Sequence, residues 1–226
     1  MSTLVKPPSA TKMAVRTAII LFIFVIIFTG LLSGAYLWTR PTILAAASEE
    51  KMALIDEVLP RSAYDNELLK DTRQIAATPE LGLDEATTAF IARKNGKPQA
   101  IVLEAVAPDG YAGRIRLLIA VGIDGTLFGV RVTQHKETPG LGDYIEPKKD
   151  RNKARPWITQ FNGLGLDVVP RDKWRVKKDG GRFDQMSGAT ISARAVTDAS
   201  GRALAWTVEN RDKLFALPPD SRFEGK

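Results

Sequence analysis

The chain of 226 residues contains no cysteine and one histidine, His135. The first absence excludes disulfides, thiolate metal sites and cysteine-ligated iron–sulfur clusters. The second excludes a histidine-rich metal site, because His135 has no second imidazole with which to share an ion. Redox chemistry in this chain therefore calls for an organic cofactor. Internal repeats and low-complexity tracts are also missing. The formal charge is +6, with 32 basic and 26 acidic residues. Three of the basic residues, Lys6, Lys12 and Arg16, precede an apolar segment; the other 29 are interleaved with the acidic ones. No basic stripe results, which argues against a nucleic-acid partner.

Residues Thr17 to Thr39 carry no charge. Twenty-three residues at about 1.5 Å each cross a hydrocarbon core of roughly 30 Å. Tyr36 and Trp38 stand at one end, as interfacial aromatics do. Lys6, Lys12 and Arg16 precede the segment; Arg40 follows it, and then Glu49, Glu50, Asp56 and Glu57. The positive-inside rule then places residues 1–16 in the cytoplasm, 17–39 in the membrane and the bulk of the chain outside, which in a Gram-negative bacterium is the periplasm. A cleaved signal peptide is the alternative. The apolar run exceeds the usual h-region, and Ala45-Ala46-Ala47 lies too far past Trp38 to serve as its cleavage site.

The outer part reads as α+β, an antiparallel sheet with flanking helices on one side. Residues 40–84 form a membrane-proximal, largely helical segment. Its first helix, Pro41 to Val58, presents Leu44, Met52, Ile55 and Val58, and Asp65 to Asp84 reads as an irregular connector. Residues 85–226 form the main domain. Thr88–Ala92 and Ala100–Val106 flank Asn95-Gly96, and Arg114–Ile123 and Leu127–Thr133 flank Asp124-Gly125, two hairpin signals that predict a four-stranded meander. Glu146 to Arg155 is a charged surface excursion. Pro156–Phe161 suits a helical turn with Trp157 and Phe161 inward. Leu166–Val169 and Trp174–Val176 are short strand candidates. A helix from Ser192 to Phe215, with Val196, Ala199, Ala203 and Trp206 on one face, ends before Pro218-Pro219.

Two loops carry candidate chemistry. In Asp184-Gln185-Met186-Ser187-Gly188-Ala189-Thr190, the small Gly188 and Ala189 leave room for a bulky group, and Thr190 falls just before a helix N-terminus, where free N–H groups favour a phosphate. The same residues also suit an ordinary helix cap by Ser187, Thr190 or Ser192. In Glu137-Thr138-Pro139-Gly140-Leu141-Gly142, a tight backbone offers N–H groups and one projecting apolar side chain to a ligand; a plain connecting loop is the alternative. Gly163-Leu164-Gly165-Leu166 lacks the third glycine and preceding strand of a dinucleotide fingerprint and reads as a turn. His135 reads as a loop or packing residue.

These pieces occur in an order that resembles one family. Gly110-Tyr111-x-Gly113, Asp124-Gly125, Glu137 to Gly142, Trp157-Ile158-x-x-Phe161, Lys178-x-Gly180-Gly181-x-Phe183-Asp184 and Ser187-Gly188-Ala189-Thr190 together look like the G subunit of Rnf-type ion-translocating electron transport complexes. The resemblance covers nearly the whole chain. It implies FMN joined through its phosphate to Thr190, within the pattern Asp184, Ser187, Gly188 and Ala189 read by a separate flavin transferase that takes FMN from FAD with magnesium. It implies that Glu137, Thr138, Leu141 and Gly142 line the flavin. Lys178 is assigned to a phosphate or ring-edge contact on charge alone. The implied role is an electron relay among the other subunits of an inner-membrane complex that couples electron flow between ferredoxin and NAD to sodium or proton movement, without independent catalysis. The alternatives are the C subunit of the sodium-translocating NADH:quinone reductase and a cofactor-free, membrane-anchored binding module.

Overall fold

The computed structural model describes residues 9–224, so Lys6 lies outside the described residues. The chain divides into two compact units, Met1–Glu50 and Lys51–Lys226. A single helix, α1 (Ala10–Val58), contains the apolar segment; its most apolar 18-residue window has a mean hydropathy of 2.7 and is not buried by other parts of the protein. That is long and apolar enough to cross a membrane. Pro41 lies inside the helix and has no N–H to continue the hydrogen-bond ladder. Of the four apolar residues assigned to the end of this helix, Ile55 and Val58 are buried, Met52 is half-buried and Leu44 is exposed.

The second unit is built on a six-stranded sheet in the order β5-β4-β3-β2-β1-β6. The strands are β1 (Thr72–Ile75), β2 (Thr87–Lys94), β3 (Lys97–Gly110), β4 (Gly113–Gly122), β5 (Leu127–Gln134) and β6 (Ser221–Phe223). The expected meander is present as β2–β5, joined at both predicted turns. Alternation along β3 and β4 sorts the side chains onto two faces. Ile101, Leu103 and Ala105, with Leu117, Ile119 and Val121, face helix α2 (Thr190–Ala216). Val102 and Ala120 face Ile55, Val58, Leu59, Tyr64 and Leu68. Because both faces are covered, the strands read as continuous apolar runs rather than as alternating ones. The expectation of helices on one side is therefore corrected: α2 covers one face, and the end of α1 with the turns after it covers the other.

Two strands go beyond the expected meander. The connector contributes β1, antiparallel to β2, and the tail after Pro218-Pro219 contributes β6, parallel to β1. The sheet is thus antiparallel except at this edge. The apolar pattern of β1 is interrupted by Arg73, whose side chain is fully buried. Leu166–Val169 and Trp174–Val176 form turns and isolated bridges instead of strands. Their apolar character serves packing: Trp174 stacks on Phe161 at 6.1 Å and meets Phe183 at 4.9 Å, fastening the segment that leads to α2.

Arg73 donates through Nη1 to Asp71 at 2.7 Å and to the Thr72 carbonyl at 2.8 Å, while its Nε and Nη2 are buried without a partner. Asp71 also receives Arg93 at 2.6 Å. One carboxylate thus compensates two guanidinium groups at the sheet edge. Removing its charge strands a buried cation, so Asp71→Asn is expected to cost about 3 kcal/mol in urea unfolding, whereas Arg73→Met is expected to be close to neutral.

Candidate functional site

The loop after β5 is shaped by its own backbone. The Leu141 and Gly142 N–H groups donate to the Thr138 carbonyl at 3.1 and 3.0 Å, and Gly140 N–H donates to Asp143 Oδ1 at 2.8 Å. This tight turn points Glu137 inward, where it is 3% exposed. Glu137 Oε1 accepts the Ala112 N–H at 3.0 Å, from the β3–β4 turn, and Oε2 accepts the Ser192 hydroxyl in the first turn of α2. Its own N–H donates to His135 Nδ1 at 3.1 Å, leaving His135 Nε2 to face Glu146 at 3.4 Å. His135 is therefore a packing residue that fixes the Glu137 backbone. The carboxylate sits at the positive end of a helix dipole, with both oxygens occupied by donors. Gly142 makes this arrangement possible, because a Cβ there would lie 2.6 Å from Ser192 Oγ and 2.9 Å from Glu137 Oε2.

Helix α2 begins at Thr190, two residues earlier than the apolar periodicity indicates. Its N-cap is Ala189, which has no capping side chain. The alternative, a cap by Ser187, Thr190 or Ser192, is thus not formed: Thr190 is the first helical residue, and the Ser192 hydroxyl is turned to Glu137. The early N–H groups of such a helix have no partner within it.

The two loops meet at a cleft of about 250 Å³. Tyr111, Glu137, Thr138, Leu141 and Gly142 line one part of it, and Gly188, Ala189, Thr190, Ile191 and Ser192 the other. Gly188 adopts φ +84°, a conformation that favours glycine, with open space where a Cβ would stand. Tyr111, Leu141 and Ile191 are exposed large apolar residues, 68%, 49% and 43% accessible, and make an apolar rim.

Side chains outside the cleft hold the Asp184–Ala189 segment. The Asp184 N–H donates to Gln160 Oε1 at 2.8 Å, and its carbonyl accepts Trp157 Nε1–H at 2.6 Å. The Tyr144 hydroxyl accepts the Met186 N–H at 3.1 Å and donates to the Ala189 carbonyl at 3.4 Å. Burial pushes the Tyr144 phenol up to about 12, with the nearby Asp150 charge acting in the same direction and the Met186 N–H against it.

Of the residues singled out from the sequence, Glu137, Thr138, Leu141, Gly142, Gly188, Ala189 and Thr190 share the cleft. Asp184, Ser187 and Lys178 are not among its lining residues. Asp184 is ion-paired with Lys177 at 2.6 Å on the surface, Ser187 is exposed, and Lys178 is exposed on the turn Lys177–Asp179. Sequence reasoning overlooked Tyr111, Ile191 and Ser192 as lining residues and Tyr144, Trp157 and Gln160 as clamps. The polar ends of Tyr144 and Trp157 offered a signal, since buried aromatics of these types need hydrogen-bond partners.

Two outcomes follow from this geometry. Glu137→Ala would leave the Ala112 N–H and the Ser192 hydroxyl unpaired; a loss of about 2 kcal/mol in denaturant unfolding is expected, together with loosened amide exchange at the start of α2. Tyr144 has its folded pKa raised above the unfolded value of 10, so its contribution is complete below pH 10 and falls away as pH rises towards 12. A Tyr144→Phe variant is expected to be less stable at pH 8 and to lose less further stability between pH 10 and 12 than the parent, as read by melting temperature.

Residues 110–205, which contain every lining residue of the cleft, match the FMN-binding domain family, and residues 1–58 match the RnfG N-terminal region. The chain is 38% identical over 203 residues to the G subunit of the ion-translocating oxidoreductase complex of Vibrio atlanticus (strain LGP32), covering 90% of this chain and 94% of the relative. It is 42% identical over 201 residues to the G subunit of the same kind of complex from Pseudomonas aeruginosa (strain UCBPP-PA14), covering 89% and 92%. For that of Escherichia coli (strain K12) the identity is 46% over 190 residues, covering 84% and 89%. With both ends of the likeness accounted for, the membrane helix and the cleft-bearing domain, the chain belongs to the family of G subunits of ion-translocating oxidoreductase complexes.

Proposed function

We propose that this chain is an electron-relay flavoprotein of an Rnf-type complex and carries FMN esterified through its phosphate to Thr190. The observation that carries this reading is the position of Thr190, the first residue of an uncapped helix that opens on a cleft within the matched FMN-binding domain. The residues present suit the group. The first turn of α2 offers N–H groups and a dipole to a phosphodiester charge, and Gly188 keeps the approach to Thr190 open. Bound FMN supplies the electron-accepting and electron-donating chemistry that the side chains lack.

The chain's own residues bind and orient. Thr190 Oγ provides the anchor. Its hydroxyl would be the acceptor to which a flavin transferase, using FAD and magnesium, transfers the FMN phosphate with release of AMP. Tyr111, Leu141 and Ile191 offer apolar surface to a flat ring. Glu137 has both oxygens engaged by donors, so its part is to hold the walls in register rather than to exchange protons. The cleft, at about 250 Å³, falls below the roughly 300–1,000 Å³ of sites that bury a drug-sized ligand. An incompletely buried ring suits a relay, which must pass electrons to a neighbouring subunit.

Lys12 and Arg16 before the apolar segment, against Glu49 and Glu50 after it, support a cytoplasmic N-terminus and a periplasmic main domain in a bacterial inner membrane. In the complex, the chain then works beside the other subunits in coupling electron flow between ferredoxin and NAD to ion movement.

The full chain, co-expressed with a flavin transferase, is expected to run as a fluorescent band on a denaturing gel under ultraviolet light. Thr190→Ala is expected to run dark, with the mass of the bare polypeptide. Ser192→Ala is expected to keep the flavin while losing stability through its bond to Glu137. A fluorescent Thr190→Ala band would refute the attachment site.

A further inference from the structure

The excursion Glu146–Arg155 is not a loose charged loop. Asp150, 4% exposed, turns inward; its Oδ1 accepts the Asn152 N–H at 2.9 Å and its Oδ2 accepts the Trp157 N–H. Asn152 Oδ1 in turn accepts the Arg155 N–H at 3.1 Å. The loop's own aspartate is thus spent on backbone donors inside the turn. Lys148, Lys149, Arg151, Lys153 and Arg155 all face solvent. Among the described residues, the one ion pair made by these five is a 4.0 Å approach of Lys148 to Glu57. The result is a cationic surface held in one shape with little compensating charge.

Its position narrows the kind of partner. Asn152, Arg155, Trp157 and Gln160 line a hollow of about 280 Å³ together with Asp184, the first residue of the attachment segment. Trp157 and Gln160 are also the side chains that hold the Asp184 backbone. A macromolecule that covers the attachment segment from Asp184 therefore meets the Asn152–Arg155 end of this loop. A membrane surface has no such requirement, and a redox partner needs only the rim of Tyr111, Leu141 and Ile191, none of which lines this hollow.

We infer that the Lys148–Arg155 loop is the docking surface for the enzyme that loads the flavin, and that this enzyme meets it with an acidic face. This rests on the proposed attachment at Thr190. Complementary charge at the edge of a transient contact acts chiefly on the association rate and is weakened by salt. The loop accordingly governs how fast Thr190 is loaded and leaves unchanged how much flavin is finally carried.

The test uses the full-length apo chain in detergent, purified flavin transferase, FAD and magnesium, with covalent flavin followed by in-gel fluorescence at sub-saturating enzyme. The variant Lys149→Glu, Arg151→Glu, Lys153→Glu is expected to load at least about ten-fold more slowly than the parent at about 50 mM salt, and to lose most of the parent's salt dependence. After long incubation it is expected to reach the parent's occupancy, which shows that fold and acceptor are intact. A control with the same charge change at the exposed Lys97, Lys213 and Arg222 is expected to load within about two-fold of the parent. Equal loading rates for the loop variant and the control overturn the inference, whether or not the loop variant fails to join other subunits or to bind anionic vesicles. Failure of the underlying reading looks different, since Thr190→Ala would then carry covalent flavin or the parent would carry none.

Discussion

The Glu137 carboxylate is the interaction on which the site depends. Among the described residues it is the only side chain that bonds both the β3–β4 turn, through Ala112, and the first turn of α2, through Ser192. These elements are far apart in sequence, and the carboxylate between them sets their spacing. A buried carboxylate is costly unless donors surround it, and here two donors and a helix dipole do so without a cationic partner. That choice matters for chemistry. A lysine or arginine partner would bring a fixed positive charge beside the cleft, whereas backbone and hydroxyl donors stabilise the carboxylate without adding one. His135 completes the arrangement from behind by fixing the backbone of Glu137.

The sheet explains why the site can be an assembly of loops. With α2 on one face and the end of α1 on the other, its strands are immobilised by packing on both sides. The turns at one end of β3–β4 and β5 then have rigid roots. The long connection between β5 and α2 contains little regular structure, yet the Phe161, Trp174 and Phe183 cluster and the Tyr144, Trp157 and Gln160 hydrogen bonds fasten it at successive points. Thr190 emerges at the end of that fastened path. Its position is set in part by hydrogen bonds from side chains 30 to 46 residues upstream (Gln160 and Tyr144 are those distances before it).

Much of this was legible in the sequence where one physical rule acted alone. The membrane helix follows from length and hydropathy, and the β2–β3 and β4–β5 hairpins from turn residues between apolar runs. The seven lining residues recognised in advance lay in two short, compositionally distinctive loops. Legibility ended where tertiary packing competes with local pattern. Arg73 hides β1 because a buried arginine violates the strand pattern, and its presence is explained by Asp71, a neighbour that no periodicity reveals. Trp174 and Val176 looked like a strand because they are apolar and buried, although their partners are aromatic rings and a helix. The start of α2 was misplaced because Ala189 offers no capping side chain to mark it. Lys178, chosen on charge alone, is exposed outside the cleft, which shows how little charge says about position.

A shallow cleft and a covalent anchor belong together in the proposed reading. Noncovalent retention of a cofactor requires enough buried surface and enough hydrogen bonds to offset the freedom lost on binding. A cleft of about 250 Å³ with an exposed apolar rim offers little of either. An ester bond at Thr190 removes that requirement by making the local concentration of the flavin permanent, as a short tether does for a linked module. The walls are then free to stay open on one side, where a redox partner must approach. Asp184 and Ser187 are exposed, and Asp184 shares a hollow with Asn152 and Arg155 of the cationic loop, so in that reading the surface that admits electron exchange in the mature protein adjoins the surface that must first admit the enzyme of its maturation.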